Sequence, residues 1–259
     1  MHRSIRNRLV DLFLNAFDSP PAEDALRWCL VCCELAANRT ATDLPVAEVL
    51  AGWRRTDVST LDRWIGLRRV VASLEGILDL RTADGLSTSV QRSTCLVLRP
   101  EIVAALPAVG DTLRAYAAVL EGWGARHARL RPQDPMEQAV AKAALCFNAA
   151  LFFEAHELLE HRWIAEPRGP RRQFLQGLIQ VCVGLHHARR GSFDGAVNQL
   201  AKGLAKLVGS PGRVMGLDCD RFVRDVTALH ERLVRCGRPN MRPLPSDETV
   251  RMRIAGEIG

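Results

Sequence analysis

Apolar residues recur at helical spacing through most of the chain and predict helices at about 4–16 and 22–37. Two more follow between Thr40 and Gly76, around VAEVLAGW and STLDRWIGLRRVVASLEG, with Gly76 as the stop. The period then changes to alternation. ILDLRT and STSVQRSTCLVL flank Ala83-Asp84-Gly85, and Asp-Gly between alternating stretches is a hairpin signal. Pro100 closes that unit, and helical spacing resumes at Glu101–Leu106 and from about 111 to 129. Arg131-Pro132-Gln133-Asp134-Pro135 reads as a linker, since two prolines in four residues interrupt a helix. Beyond it lie helices at about 136–148, through Trp163, 171–190, from an N-capping Ser192 to about 207, and 218–235. The Pro- and Arg-rich tail after Gly237 reads as loosely ordered.

The expected fold is therefore mainly α. It has an N-terminal helical domain with a β-hairpin (residues 1–108), a connecting helix and linker (109–134), an all-helical C-terminal bundle (135–240) and a tail (241–259). Helices followed by a hairpin are also the order of a winged helix, with Ser59–Val71 as its recognition helix.

One helix breaks the amphipathic rule. In Phe147–Trp163, FNAALFFEAHELLEHRW, the wheel puts His156 and Glu160 inside the apolar face and Glu157 at its edge, with Glu154, His161 and Arg162 turned away. A carboxylate in such a face must be paired, metal-bound or protonated. The next helix, RRQFLQGLIQVCVGLHHARR, is apolar almost all round. It carries one uncharged polar stripe of Gln173, Gln176, Gln180 and His187. Gly177 and Gly184 would let a neighbouring backbone approach closely. A short hairpin would place this stripe opposite His156 and Glu160.

The runs F-N-x-x-x-F-F-E-A-H-E-L-L-E, F-L-Q-G-L-I-Q and R-R-G-x-x-x-G-A resemble the family called domain of unknown function 309, over roughly residues 135–240. The resemblance implies a compact all-helical domain and no established activity. The family pattern commonly has Gly where this chain has Ala150 and Tyr where it has Phe152. The second departure removes a hydroxyl beside the candidate site.

Composition narrows the function classes. No apolar run reaches eighteen residues, so no membrane helix is expected. The N-terminal stretch carries Asp11 inside its apolar part, which argues against a secretory leader and for a cytoplasmic protein. The formal charge is +6, yet residues 1–100 hold 13 Arg against 12 acidic residues. That balance counts against phosphate neutralisation by the N-terminal part. Of the eight cysteines only Cys29, Cys32 and Cys33 cluster, in a strongly apolar helix. They read as core, because a zinc site wants a second pair.

Three functional readings follow. In the first, His156, Glu157 and Glu160 form a catalytic or ligand site in a pocket lined by Asn148, Phe152, Trp163, Gln176, Gln180 and His187. A divalent metal would be held by His156, Glu160 and His187, or Glu160 would orient His156 as an acid–base pair. The spacing H-E-x-x-E is not the H-E-x-x-H of zinc peptidases. In the second, the same residues form a closed hydrogen-bond network that fixes helix register, Asn148 caps a helix and Trp163 fills the core. In the third, a homodimer binds nucleic acid through Arg63, Arg68 and Arg69, with a wing near Arg81 and Arg92. The bland form of that region is a small α+β domain with Trp53 and Trp64 in its core.

Overall fold

The computed structural model describes residues 3–38, 43–53, 66–67, 77–82, 94–129, 134–210, 212–245 and 250–254. It is mostly helical, with ten α-helices among the described residues, and it divides into two compact units, Met1–Glu121 and Gly122–Gly259.

The first unit opens with α1 (Arg3–Ala16) and α2 (Pro20–Ala37). Then come β1 (Asp43–Pro45), α3 (Val46–Gly52), β2 (Leu78–Thr82), β3 (Thr94–Leu98), α4 (Pro100–Ala104) and the start of α5 (Leu106–Arg129). The alternating stretches pair antiparallel as expected, from Leu78 opposite Leu98 to Thr82 opposite Thr94. The pattern did not reveal β1, which adds a third strand along β3. Three residues are too few to show a period. Phe13 stacks on Tyr116 and Trp28 on Trp53, each pair 4.0 Å between ring centres, so Trp53 is a core residue. Trp64, Arg63, Arg68, Arg69 and Arg92, with nearly all of the expected recognition helix, lie outside the described residues.

The second unit holds α6 (Pro135–Asn148), α7 (Phe152–Ala165), α8 (Pro170–Arg189), α9 (Phe193–Leu207) and α10 (Cys219–Cys236). A two-residue hairpin, β4 (Arg213–Val214) and β5 (Leu217–Asp218), precedes α10. Arg131–Gln133 of the expected linker lie outside the described residues. Asp134 caps α6 by accepting from the Met136 N–H, and Asp218 caps α10 by accepting from the Arg221 N–H. Ser192 precedes α9 as expected but makes no side-chain cap bond.

Glycines set the tightest packing. A Cβ on Gly177 of α8 would fall 2.8 Å from Leu207 of α9, and one on Gly184 would fall 2.8 Å from Leu200. A Cβ on Gly203 of α9 would fall 2.9 Å from the Gly177 carbonyl oxygen. The close approach expected at Gly177 and Gly184 is therefore real, and the neighbour is α9.

The tail corrects the sequence reading. After a 3-10 turn at Arg238–Asn240, Met241, Leu244, Val250, Met252 and Ile254 are all buried. The Leu244 N–H donates to the Ala188 carbonyl, and the Asp218 N–H donates to the Arg253 carbonyl. Spaced apolar residues among prolines and arginines carry no helical or strand period, so composition hid a segment that tertiary contacts order.

The α6 and α8 C-termini use one device. The Leu151 N–H donates to the Cys146 carbonyl and the Ala150 N–H to that of Phe147. After α8, Ser192 donates to His187 and Gly191 to Ala188 in the same register. This motif needs a left-handed residue, Gly191 at φ 69° in one case and Ala150 at φ 59° in the other. A Cβ in that region costs about 1 kcal/mol or more. Ala150 stands where the resembled family commonly has Gly. Ala150→Gly should therefore stabilise the second unit by about 1 kcal/mol, read as a raised urea midpoint at unchanged slope. A lower midpoint would count against the strain.

Candidate functional site

Helix α7 is fixed at both ends. The left-handed turn at Ala150 starts it. At its end the Arg172 guanidinium donates to the carbonyls of Trp163, Ile164 and Glu166 and lies 4.2 Å from the Trp163 ring. A cation on carbonyls at a helix C-terminus also suits the helix dipole.

Between those ends, Phe152, Ala155 and Leu159 form the buried stripe. His156 and Glu160 lie at the rim of that stripe rather than in its middle, with side chains 17 % and 40 % exposed. Glu154, expected towards solvent, is buried, and its charge is among those that push the Cys146 thiol upward, after burial itself. The buried arc thus turns toward α6, which the wheel, centred on aromatic positions, did not register. His161 and Arg162 are exposed as expected.

Two carboxylates flank one imidazole. His156 Nδ1 lies 3.3 Å from Glu157 Oε1, and His156 Nε2 lies 3.4 Å from Glu160 Oε2. One ligand atom from each of the three residues can be chosen so that all lie within 4.8 Å of one another. Nδ1 is buried and makes no hydrogen bond. A neutral imidazole offers one donor and one lone pair, whereas carboxylates only accept. One ring nitrogen of the neutral form therefore faces a carboxylate with nothing positive between them.

The other expected pocket residues are placed elsewhere. His187 packs against Gly195 of α9, where a Cβ would fall 2.5 Å from its ring. Gln180 accepts a hydrogen bond from Lys206 Nζ of α9 at 2.9 Å, and Gln176 is half-buried on α8. The polar stripe thus faces α9, because Gly177 and Gly184 lie beside it on the wheel and bring that helix in. Phe152 meets Phe147 edge-on at 5.1 Å in the core. Asn148 ties the end of α6 to the tail. Its Nδ2–H donates to the Met252 carbonyl and its Oδ1 accepts from the Met252 N–H, both at 2.9 Å. Trp163 is half-buried beneath Arg172, with its indole N–H buried and without a hydrogen bond.

Two residues that the sequence left without a role stand close by. The Phe153 ring is 5.8 Å from both His156 and His186. Phe153 and His156 are three apart on one helix, and that spacing was the available signal. His186 depends on how α8 is rotated, which only its packing reveals.

The cysteine cluster is core. Cys29, Cys32 and Cys33 are buried free thiols. Burial pushes Cys33 from its ordinary 9.0 up to about 12, with Arg114 drawing it down and Glu34 adding to the rise.

Part of this helical unit is similar to known proteins. Residues 140–199, from α6 into α9, match the model of the family described as "Domain of unknown function (DUF309)", which bears out the resemblance read from the motifs. Within the curated proteins, "Uncharacterized protein YpuF" of Bacillus subtilis (strain 168) is 32% identical over 84 residues. That alignment covers 32% of this chain and 48% of the relative, so the chain spans about half the length of the curated relative it matches. No solved structure matches significantly. No helix among the described residues is long and apolar enough to cross a membrane.

The thiols yield a prediction with a definite sign. A pKa raised on folding keeps the proton on in the native state, so this stabilisation is complete below the unfolded value and lost as pH climbs towards the folded one. Urea stability should hold up to about pH 9 and fall steadily from there towards pH 12. Cys33→Ala should make the fall shallower. Identical pH profiles for parent and variant would rule out this contribution.

Proposed function

We propose that the helical unit binds a divalent cation at His156, with one of Glu157 and Glu160 as its carboxylate ligand and the other supporting the imidazole. One observation carries the reading: the buried, hydrogen-bond-free Nδ1 of His156 lies 3.3 Å from a carboxylate, while a second carboxylate attends Nε2. A cation between a ring nitrogen and its neighbouring carboxylate removes the conflict between two acceptors. The remaining carboxylate then holds the opposite N–H and fixes the tautomer, the usual support of a metal-ligating histidine. A mixed nitrogen and oxygen donor set suits Zn²⁺, Mn²⁺ or Fe²⁺ better than Ca²⁺ or Mg²⁺. A bound ion would supply Lewis acidity, and the partial exposure of both carboxylates leaves it approachable by a small ligand.

The closed-network alternative is less well supported. It needs the two glutamines of α8 to complete the circuit, but Gln180 is engaged by Lys206 and Nδ1 has no hydrogen bond. The pairing with His187 is likewise less favoured, since that ring packs against Gly195 of α9.

Titration calorimetry with Zn²⁺ and Mn²⁺ on metal-stripped protein tests the proposal. One ion per chain should bind, and Glu157→Gln or Glu160→Gln should each weaken it about tenfold or more while the protein remains folded. Absence of binding to either ion, or equal binding by both variants, would sink the reading.

A further inference from the structure

The first unit contains a cavity of about 360 Å³ that the His/Glu cluster does not involve. It lies between α2, the end of α3 and α5. Leu30 and Val31 of α2, Ala117 of α5 and Trp53 form its apolar lining. Trp53 is held by its stack on Trp28, so this wall is rigid. Gly52 also lines the space, and a Cβ there would fall 2.8 Å from Val31. A volume at the lower end of small-molecule sites, with a preformed aromatic wall, suits a ligand of one ring or a short aliphatic body.

Charge decides what kind. The polar lining residues are Arg27, Glu34 and Glu121. Arg27 is already bound by Glu23 at 2.7 Å and stands 3.9 Å from Glu121. Arg114, a further cation on α5, is taken by Asp111 at 2.6 Å. Among the described residues, the mouth thus carries more carboxylate than its cations match, beside an aromatic wall. Such a mouth repels an organic anion and attracts an ammonium, through Glu34 and Glu121 and through the indole quadrupole. We infer that this cavity is a binding site for a small organic cation, its apolar body against Leu30, Val31, Ala117 and Trp53 and its ammonium at Glu34 and Glu121.

The test uses the full chain and three probes of nearly one shape: phenethylammonium, the neutral 2-phenylethanol and the anionic phenylacetate. Calorimetry, with tryptophan fluorescence as a second readout, should give saturable binding of phenethylammonium, weaker binding of the alcohol and none of the anion. Glu34→Gln and Glu121→Gln lie at exposed positions and should each weaken the ammonium about threefold. Raised salt should weaken it as well. Ala117→Leu, which fills the cavity, should abolish binding. Glu157→Gln should leave it unchanged, which separates this site from the one on α7. The inference is overturned by no saturable binding of phenethylammonium, by equal binding of phenylacetate, or by affinities that neither carboxamide variant nor the filled cavity alters.

Discussion

The contact between α8 and α9 at Gly177, Gly184 and Gly203 is the constraint that most of the second unit depends on. Leucine side chains of α9 occupy the space that Cβ atoms on α8 would fill, so the two backbones are drawn together along one line. That line fixes the rotation of α8 about its own axis. Gln180 and His187 then face α9, His186 turns toward Phe153, and Arg172 reaches the end of α7. His156 is left with Glu157 and Glu160 of its own helix. The chemistry of the cluster is thus decided partly by residues with no side chain at all. A methyl group on either helix would have to displace a buried leucine or backbone oxygen in a close-packed interior.

The cluster also gains from the way α7 is held. Three polar side chains within about one turn of one helix, at positions 156, 157 and 160, keep their spacing without help from loops. The Schellman turn at Ala150 and the Arg172 cap fix both ends of that helix. A link between the start of α6 and the end of α7 runs through Arg171, which meets both Asp134 and Glu166. Asp134 and Arg172 act instead on helix termini, where partial charges are concentrated.

Much of this was legible because local signals agreed. The proline-rich stretch ending at Pro135 placed the start of α6, Ser192 placed that of α9, and the switch to alternation located β2 and β3. The identity of the cluster could also be read, since His156 and Glu160 share a face at any rotation of α7. What could not be read was the direction of each face. A wheel ranks positions by hydrophobicity, but Glu154 is buried because α7 is covered on the α6 side as well. Likewise the stripe on α8 offered two candidate neighbours, and the glycines that chose α9 lay in plain view beside it. Their meaning depended on which helix carried complementary leucines, and that is a tertiary fact. Asn148 was read as a pocket or capping residue because its partner, Met252, lies 104 positions away.

That last pairing bears on the order in which the molecule can be completed during synthesis. Met252 is fully buried, and both of its backbone polar groups are held by a residue at the end of α6. Ile254 bridges to Leu217, and Leu244 is tied to the end of α8. The helices of the second unit therefore emerge from the ribosome well before the segment that covers their ends, and until it arrives they expose apolar surface. Chains emerge at roughly 5–20 residues per second, so the ~100 residues from Asn148 to Met252 take about 5–20 s, and the exposure recurs with every molecule made. The first unit waits in the same way, since Phe13 of α1 stacks on Tyr116 of α5, about 100 positions later.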